Sequence, residues 1–325
     1  MKVAYLLKKF PRLSETFILN EILKQQELGL DLHIFSRRTP DDEPRHGALA
    51  RLTCPIEVLP SSKSMDAWQM LFDAQGQGLG SATKNLWDGL ASAVPALLQD
   101  RQLRLDRLVA EAIHVQRRCE ELGVEHIHVH FATDSAIVAH LVKAMGGPSY
   151  SITAHAKDIY RSTVSMNVLS LLAQESEFIV TVCDSNLAYL QDRLTPGAAK
   201  HVRRLYNGID LGHFAFSNRK RATDHVLAVG RLVEKKGFDL LLSATRSLLD
   251  QGRDFRVTII GEGDARPQLE AQVQELGLAG HVTLAGAATQ ESVLEAMSTA
   301  TFMCLPCRVG TDGNRDALPT VLLEA

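Results

Sequence analysis

Short runs of aliphatic and β-branched residues alternate along the chain with longer stretches whose apolar positions recur every three or four residues. That alternation predicts parallel strands joined by helices lying on both faces of a sheet. Strands are expected at Val3–Leu7, Leu32–Phe35, Ile56–Leu59, His126–His130, Ser149–Thr153, Phe178–Val182 and Val202–Tyr206. Among the helices between them, Glu15–Leu28 follows Ser14 as a candidate N-cap and stops at Gly29, Leu103–Leu122 stops at Gly123, and Ser135–Met145 stops at Gly146-Gly147. Glycine just past a helix end is the usual stop, because it enters the left-handed region without a Cβ penalty.

A second series begins after Asn207-Gly-Ile-Asp210 and a polar stretch, Ser217–Asp224, that reads as a linker. Its strands are expected at Val226–Val229, Val257–Ile260, Val282–Ala285 and Thr301–Leu305, and its helices at Phe238–Gln251, Ala265–Leu276 and Glu291–Ser298. Leu318–Ala325 begins another helix, so the second unit reads as incomplete. A chain of 325 residues exceeds what one hydrophobic core normally serves. The expected organisation is α/β, with two Rossmann-like, doubly wound domains at 1–212 and 213–325 facing one cleft.

Composition narrows the class. Hydrophobic residues make up 45% and charged residues 22%, near the average of soluble domains. No stretch has the roughly 20 uncharged apolar residues of a membrane span. The opening MKVAYLLKKFPRLSET carries lysines in and after its apolar run and lacks a small-residue cleavage site, so a cytoplasmic protein is expected. A net charge of −3 does not suggest nucleic acid as a partner, although Lys8, Lys9, Arg12, Arg37 and Arg38 form one basic group, read as a solvated face. Five scattered cysteines fit a reducing compartment, and Cys304-Leu-Pro-Cys307 alone has redox or metal spacing.

Candidate chemistry concentrates after strands, where open parallel sheets bind ligands and helix N-termini present free amides. Arg231 follows Val229-Gly230, and Lys236 precedes Gly237 at a helix start. A guanidinium fork with a compact ammonium suits the oxygens of a diphosphate, the alternative being a merely solvated surface turn. In TDGNRDALPTVLLEA, Thr311–Ala325, Pro319 stands where a helix would begin, leaving the amides around Ala317, Leu318 and Thr320 for a phosphate or a sugar hydroxyl. Asp316 and Glu324, with seven residues between them, can accept hydrogen bonds from sugar hydroxyls; singly, they also read as a cap and a solvated helix residue. His126, His128 and His130 share one strand face and raise a metal site. Gly261-Glu-Gly263 follows a strand but lacks the third glycine of a dinucleotide fingerprint, which disfavours a dehydrogenase.

Together GRLVEKKGFD, IIGEGDARPQLE and the paired acids closing with VLLEA resemble the retaining family 4 of the GT-B glycosyltransferases, the glycosyl transferases group 1. FPRLSETFILNEI, HIHVHFATDSAIVA, TAHAKDIY and LYNGIDL extend the resemblance over most of the chain, toward bacterial colanic acid and exopolysaccharide transferases. The resemblance implies that Arg231 and Lys236 bind the nucleotide-sugar diphosphate, that Glu324 holds the ribose and Asp316 the sugar hydroxyls, and that Ala317 and Leu318 lend amides. It also implies that His155, with Asp158 close by, faces the transferred sugar from the other domain; taken alone, His155 reads as a satisfied structural histidine. The implied enzyme is retaining and metal-independent, needs no cofactor beyond its nucleotide-sugar co-substrate, and acts on a saccharide or lipid-linked acceptor with peripheral contact at the inner membrane face. The family offers a non-metal reading of the histidine-rich strand, and no Asp-x-Asp occurs. The chain departs from the family in having Asp316-Ala317, where glutamate and glycine are usual. A non-catalytic nucleotide-sugar-binding or assembly subunit, and a GT-B epimerase or phosphorylase, are the alternatives.

Overall fold

The computed structural model describes residues 1–12, 15–42, 45–61, 69–70, 80–98, 103–209, 211–212, 214 and 219–325. The expected N-cap Ser14, Asp210 and the linker positions Ser217 and Asn218 lie outside the described residues. The chain divides into two units: Met1–Ile159 with Thr163–Gly208, and Tyr160–Ser162 with Ile209–Ala325.

The first unit contains a seven-stranded sheet in the order β3-β2-β1-β4-β5-β6-β7. The strands are β1 (Lys2–Leu7), β2 (Asp31–Ser36), β3 (Ile56–Val58), β4 (His126–His130), β5 (Ser149–Ala154), β6 (Ile179–Thr181) and β7 (Val202–Arg204). All pairings are parallel, with Val3 opposite both Leu32 and His126. Val3, Ala4, Tyr5, Leu6 and Leu7 are all buried, as a strand covered on both faces must be. The helix Leu105–Leu122 ends at Gly123 in the left-handed region, and Asp134–Ala144 precedes the turn at Gly146. Helices not singled out in the sequence lie at Gly80–Leu97, Met166–Glu175 and Asp184–Arg193.

Of the basic group of the first unit, Lys9, Arg12, Arg37 and Arg38 are ion-paired, while Lys8 is exposed. Glu111, wholly buried on Leu105–Leu122, takes Arg37 Nε at 2.5 Å and Arg38 Nη1 at 2.8 Å, while Arg12 meets Glu15 and Lys9 meets Asp41. Two charges just past the end of β2, Arg37 and Arg38, are thereby tied to the helix Leu105–Leu122.

The second unit has a parallel four-stranded sheet ordered β10-β9-β8-β11, from β8 (His225–Val229), β9 (Arg256–Ile260), β10 (Val282–Gly286) and β11 (Phe302–Met303). Phe238, Leu241 and Leu242 on the helix Phe238–Asp250 pack with Ala228, Val257 and Ile259 of the sheet. In both sheets the strand order reverses beside the first strand, between β1 and β4 and between β8 and β11. The carboxyl ends at such a reversal are where open α/β sheets bind ligands.

Candidate functional sites

In the second unit, the loops following β8 and β11 are laced together. Asp316 Oδ1 lies 2.5 Å from Lys235 Nζ and its Oδ2 2.6 Å from Lys236 Nζ, with all three side chains largely buried. Burial alone would lift the Asp316 carboxyl, but the charges of Lys236 and Lys235 and their hydrogen bonds outweigh it and hold the group below its ordinary value. Cys307 Sγ donates to the same carboxylate at 3.3 Å. Glu234 Oε2 accepts from the amide of Thr311 at 3.1 Å and from its hydroxyl at 3.0 Å, and the Arg308 amide donates to Lys235 O. These contacts hold the lysine-bearing turn against the segment that carries Asp316.

Glycines permit this close approach. Gly237 opens the helix Phe238–Asp250 at φ +68°, and a Cβ there would lie 1.9 Å from the Pro306 carbonyl oxygen. The Gly261-Glu-Gly263 turn serves packing too: a Cβ on Gly261 would meet Gly230 O at 2.0 Å, and one on Gly263 would meet Leu232 O at 2.4 Å. These glycines let the turn after β9 lie on the backbone after β8, which accounts for them without a pyrophosphate.

Arg231 is exposed, and no described residue pairs with its guanidinium. No described group accepts from the amides of Ala317 and Leu318. Pro319 caps the short helix Thr320–Glu324, whose last residue, Glu324, is half-buried. The structure thus brings Lys236 and Asp316 together, and adds three partners that sequence reasoning did not select: Lys235, Glu234 and Thr311. Lys235 adjoins a selected lysine, and its charge was the one available signal.

In the first unit, His155 follows β5, is 8% exposed, and packs between the rings of Phe17 (4.7 Å) and Phe131 (4.5 Å). Its Nε2 lies 3.1 Å from His130 Nδ1. Burial first, and the neighbouring His130 second, push its pKa well down, so the ring is neutral at physiological pH. Asp158 sits nearby but is fully occupied by backbone. Its Oδ2 accepts from the Ala132 amide at 2.8 Å, and both its oxygens accept from the His155 amide, at 3.1 and 3.2 Å. Asp158 therefore fastens the turn after β4 to the turn after β5. Phe131, in that first turn, holds φ +70°, a left-handed conformation that costs a bulky residue energy and is found where surroundings enforce it.

The histidines of β4 divide into two roles. His126 bonds Ser149 Oγ (2.8 Å) and Ser151 Oγ (2.7 Å) through its two ring nitrogens, and His128 likewise bonds Ser151 Oγ (2.8 Å) and Thr153 Oγ1 (3.0 Å). Imidazoles of β4 and hydroxyls of β5 thus interlock along adjacent strands. His130 instead meets Glu21 Oε1 at 3.3 Å, and Tyr5 donates to the same oxygen at 2.9 Å. Glu21, His128 and His130 place candidate ligand atoms within 4.8 Å of one another, but both nitrogens of His128 are already engaged by hydroxyls. That donor set fits a hydrogen-bond network better than a metal.

Two parallel doubly wound units, each with polar groups gathered at the strand-order reversal, define the GT-B fold of glycosyltransferases. Residues 213–325 match the glycosyl transferases group 1 family. The chain is 27% identical over 346 residues to the amylovoran biosynthesis glycosyltransferase AmsK of Erwinia amylovora, covering 100% of this chain and 80% of that protein. In fold it is similar to Anabaena Alr3699/HepE in complex with UDP (TM-score 0.67, 13% identity, 100% of this chain and 78% of that one). A lipopolysaccharide outer core galactosyltransferase, WaaB, superposes with TM-score 0.60 at 15% identity, covering 100% and 77%. Among the described residues no helix is long and apolar enough to cross a membrane.

Proposed function

We propose that the chain transfers a sugar, with retention of anomeric configuration and without a metal ion, from a nucleotide diphosphate sugar to a hydroxyl of a surface-polysaccharide intermediate carried on a lipid. The observation that carries the reading is the cationic end of β8: exposed Arg231, followed by Lys235 and Lys236, with the amides of Ala317 and Leu318 on the neighbouring segment, none of Arg231 and these amides having a partner among the described residues. Cations and preorganised N–H groups stabilise the charge that develops on a departing diphosphate, which is how such a site would accelerate transfer without a bound metal. Asp316 and Glu324 would accept from donor hydroxyls, and the neutral ring of His155 would meet the sugar. The name of the amylovoran relative and the UDP in the HepE structure support a nucleotide donor and an exopolysaccharide acceptor. Peripheral association with the inner face of the membrane would bring a lipid-linked acceptor to the enzyme.

A mass-spectrometric screen tests the reading: nucleotide sugars are incubated with the protein and a bacterial lipid extract. A lipid-linked product enlarged by one sugar is the expected result. Tight nucleotide binding with no transferred sugar from any donor would make the chain a binding subunit instead, and free sugar or sugar phosphate as the only product would make it a phosphorylase or epimerase relative.

A further inference from the structure

Glu21 and Phe17 lie one turn apart on the helix Thr16–Glu27, and both reach the histidines at the carboxyl ends of β4 and β5. Their contacts form a directed chain. Tyr5 O–H donates to Glu21 Oε1 (2.9 Å), Glu21 Oε1 meets His130 Nε2 (3.3 Å), and His130 Nδ1 meets His155 Nε2 (3.1 Å). A carboxylate can only accept, so His130 must carry its hydrogen on Nε2. A neutral imidazole has one hydrogen, so His130 Nδ1 is left bare and must accept. His155 then has to carry its hydrogen on Nε2, and its Nδ1 is left as a lone pair. No described residue pairs with that Nδ1.

We infer that Glu21 and His130 are positioning residues that fix the tautomer of His155, presenting its Nδ1 to the donor sugar as an acceptor only. Glu21 stays ionised for this purpose. Burial would raise its pKa, but the hydrogen bonds from His130 Nε2 and the Tyr5 hydroxyl act against that and lower it. The Asn186 amide on His155 O (2.5 Å), the Asp158 carboxylate on His155 N and the flanking rings of Phe17 and Phe131 hold the imidazole in place. An acceptor-only nitrogen takes a hydrogen bond from a sugar hydroxyl and repels a carboxylate, so the group of the donor that meets His155 is a hydroxyl, not the acid of a uronate. This selectivity rests on the proposed place of His155 against the sugar; the tautomer itself does not.

The test is nitrogen NMR of the full chain labelled at its 12 histidines, above pH 7, with the His155 signals identified by their loss in His155→Gln. The expected wild-type pattern is a protonated Nε2 and a bare Nδ1 on both His130 and His155. Glu21→Leu removes the acceptor and should move the His155 Nδ1 signal from the bare position toward the average of two tautomers. Glu21→Gln keeps a carbonyl oxygen for Tyr5 and His130 and should restore the wild-type pattern. A wild-type His155 protonated on Nδ1, a doubly protonated His130, or a His155 pattern indifferent to Glu21→Leu would each overturn the inference. If the leucine variant does not fold, the wild-type spectrum alone still decides the tautomer. Loss of the proposed function would show separately, as normal turnover in His155→Ala although the wild-type spectrum has the expected tautomers. In transfer assays Glu21→Leu should lower turnover while leaving nucleoside diphosphate affinity within two-fold of wild type. A parallel loss of affinity would mark it as merely structural.

Discussion

The carboxylate of Asp316 lies 2.6 Å from the ammonium of Lys236, so the residue proposed to receive the sugar and the residue proposed to receive the diphosphate are ion-paired with each other. Lys235 holds the second oxygen at 2.5 Å. Phosphate oxygens would compete with this internal anion for the same ammonium groups. Asp316→Asn should therefore bind a nucleoside diphosphate more tightly by about 3–10-fold, roughly half the worth of a charged hydrogen bond, since the asparagine oxygen still competes in part. Calorimetry would show it, and sugar transfer should fall in the same variant because the hydroxyl acceptor has lost its charge. Weaker binding would mean that Asp316 orients the lysines instead of competing with their ligand.

The thiol of Cys307 is raised to about 11 by desolvation first and by the neighbouring Asp316 carboxylate second. At pH 8 it is therefore a protonated, slow nucleophile. Alkylation by iodoacetamide should be slower than for a free cysteine and should speed up in Asp316→Asn. Rapid labelling of the wild type at neutral pH would restore Cys304-Leu-Pro-Cys307 as a candidate dithiol.

Glu111 is wholly buried, and two guanidinium groups depend on it. Glu111→Met removes one side of the cluster and leaves the buried Arg37 guanidinium with only the long contacts to Asp134 Oδ2 (3.7 Å) and Ser135 Oγ (3.4 Å). The expected loss is about 3–5 kcal/mol in urea unfolding of the first unit, because a buried charge so weakly compensated costs more than the pair contributed. A variant as stable as wild type would show that Arg37 escapes to water.

The first unit should lose stability as pH falls below neutrality. Burial is the first cause lowering His128, to about 3, and it also lowers His126, His140 and His155. Unfolded imidazoles protonate near 6.5, so below that pH the unfolded state binds protons that the folded state refuses. The stabilisation is complete above 6.5 and declines as pH drops toward the folded values, by up to about 1.4 kcal/mol per pH unit for each histidine. Scanning calorimetry between pH 7.5 and 5.5 should show a falling transition, at about 2–4 °C per kcal/mol. Replacing His126 and His128 with glutamine should flatten that slope; an unchanged slope would place the titration elsewhere.

The central strands were legible because both their faces are covered, so Val3–Leu7 and Val226–Val229 are nearly continuous apolar runs. Ends at the edges were less so. β7 stops at Arg204 and β11 covers only Phe302–Met303, whereas the apolar pattern runs on through Tyr206 and Leu305. Each of these strands has one neighbour, and pairing on one side ends sooner than hydrophobicity does. His155, Lys236 and Asp316 could be singled out by their position after strands and by family resemblance. The roles of Glu21 and His130 could not, since their contact spans 109 positions and depends on a helix packing over β4. Asp158 was legible as a neighbour of His155, but its bonds to two backbone turns follow only from the geometry of those turns.

The central claim is that the end of β8 grips a diphosphate. Titration calorimetry of UDP and GDP against wild type, Arg231→Ala and Lys236→Ala tests it most directly. Each substitution should weaken binding of the nucleotide that binds wild type by about 1–3 kcal/mol, the worth of a charged hydrogen bond. Affinity unchanged in both variants would contradict the account.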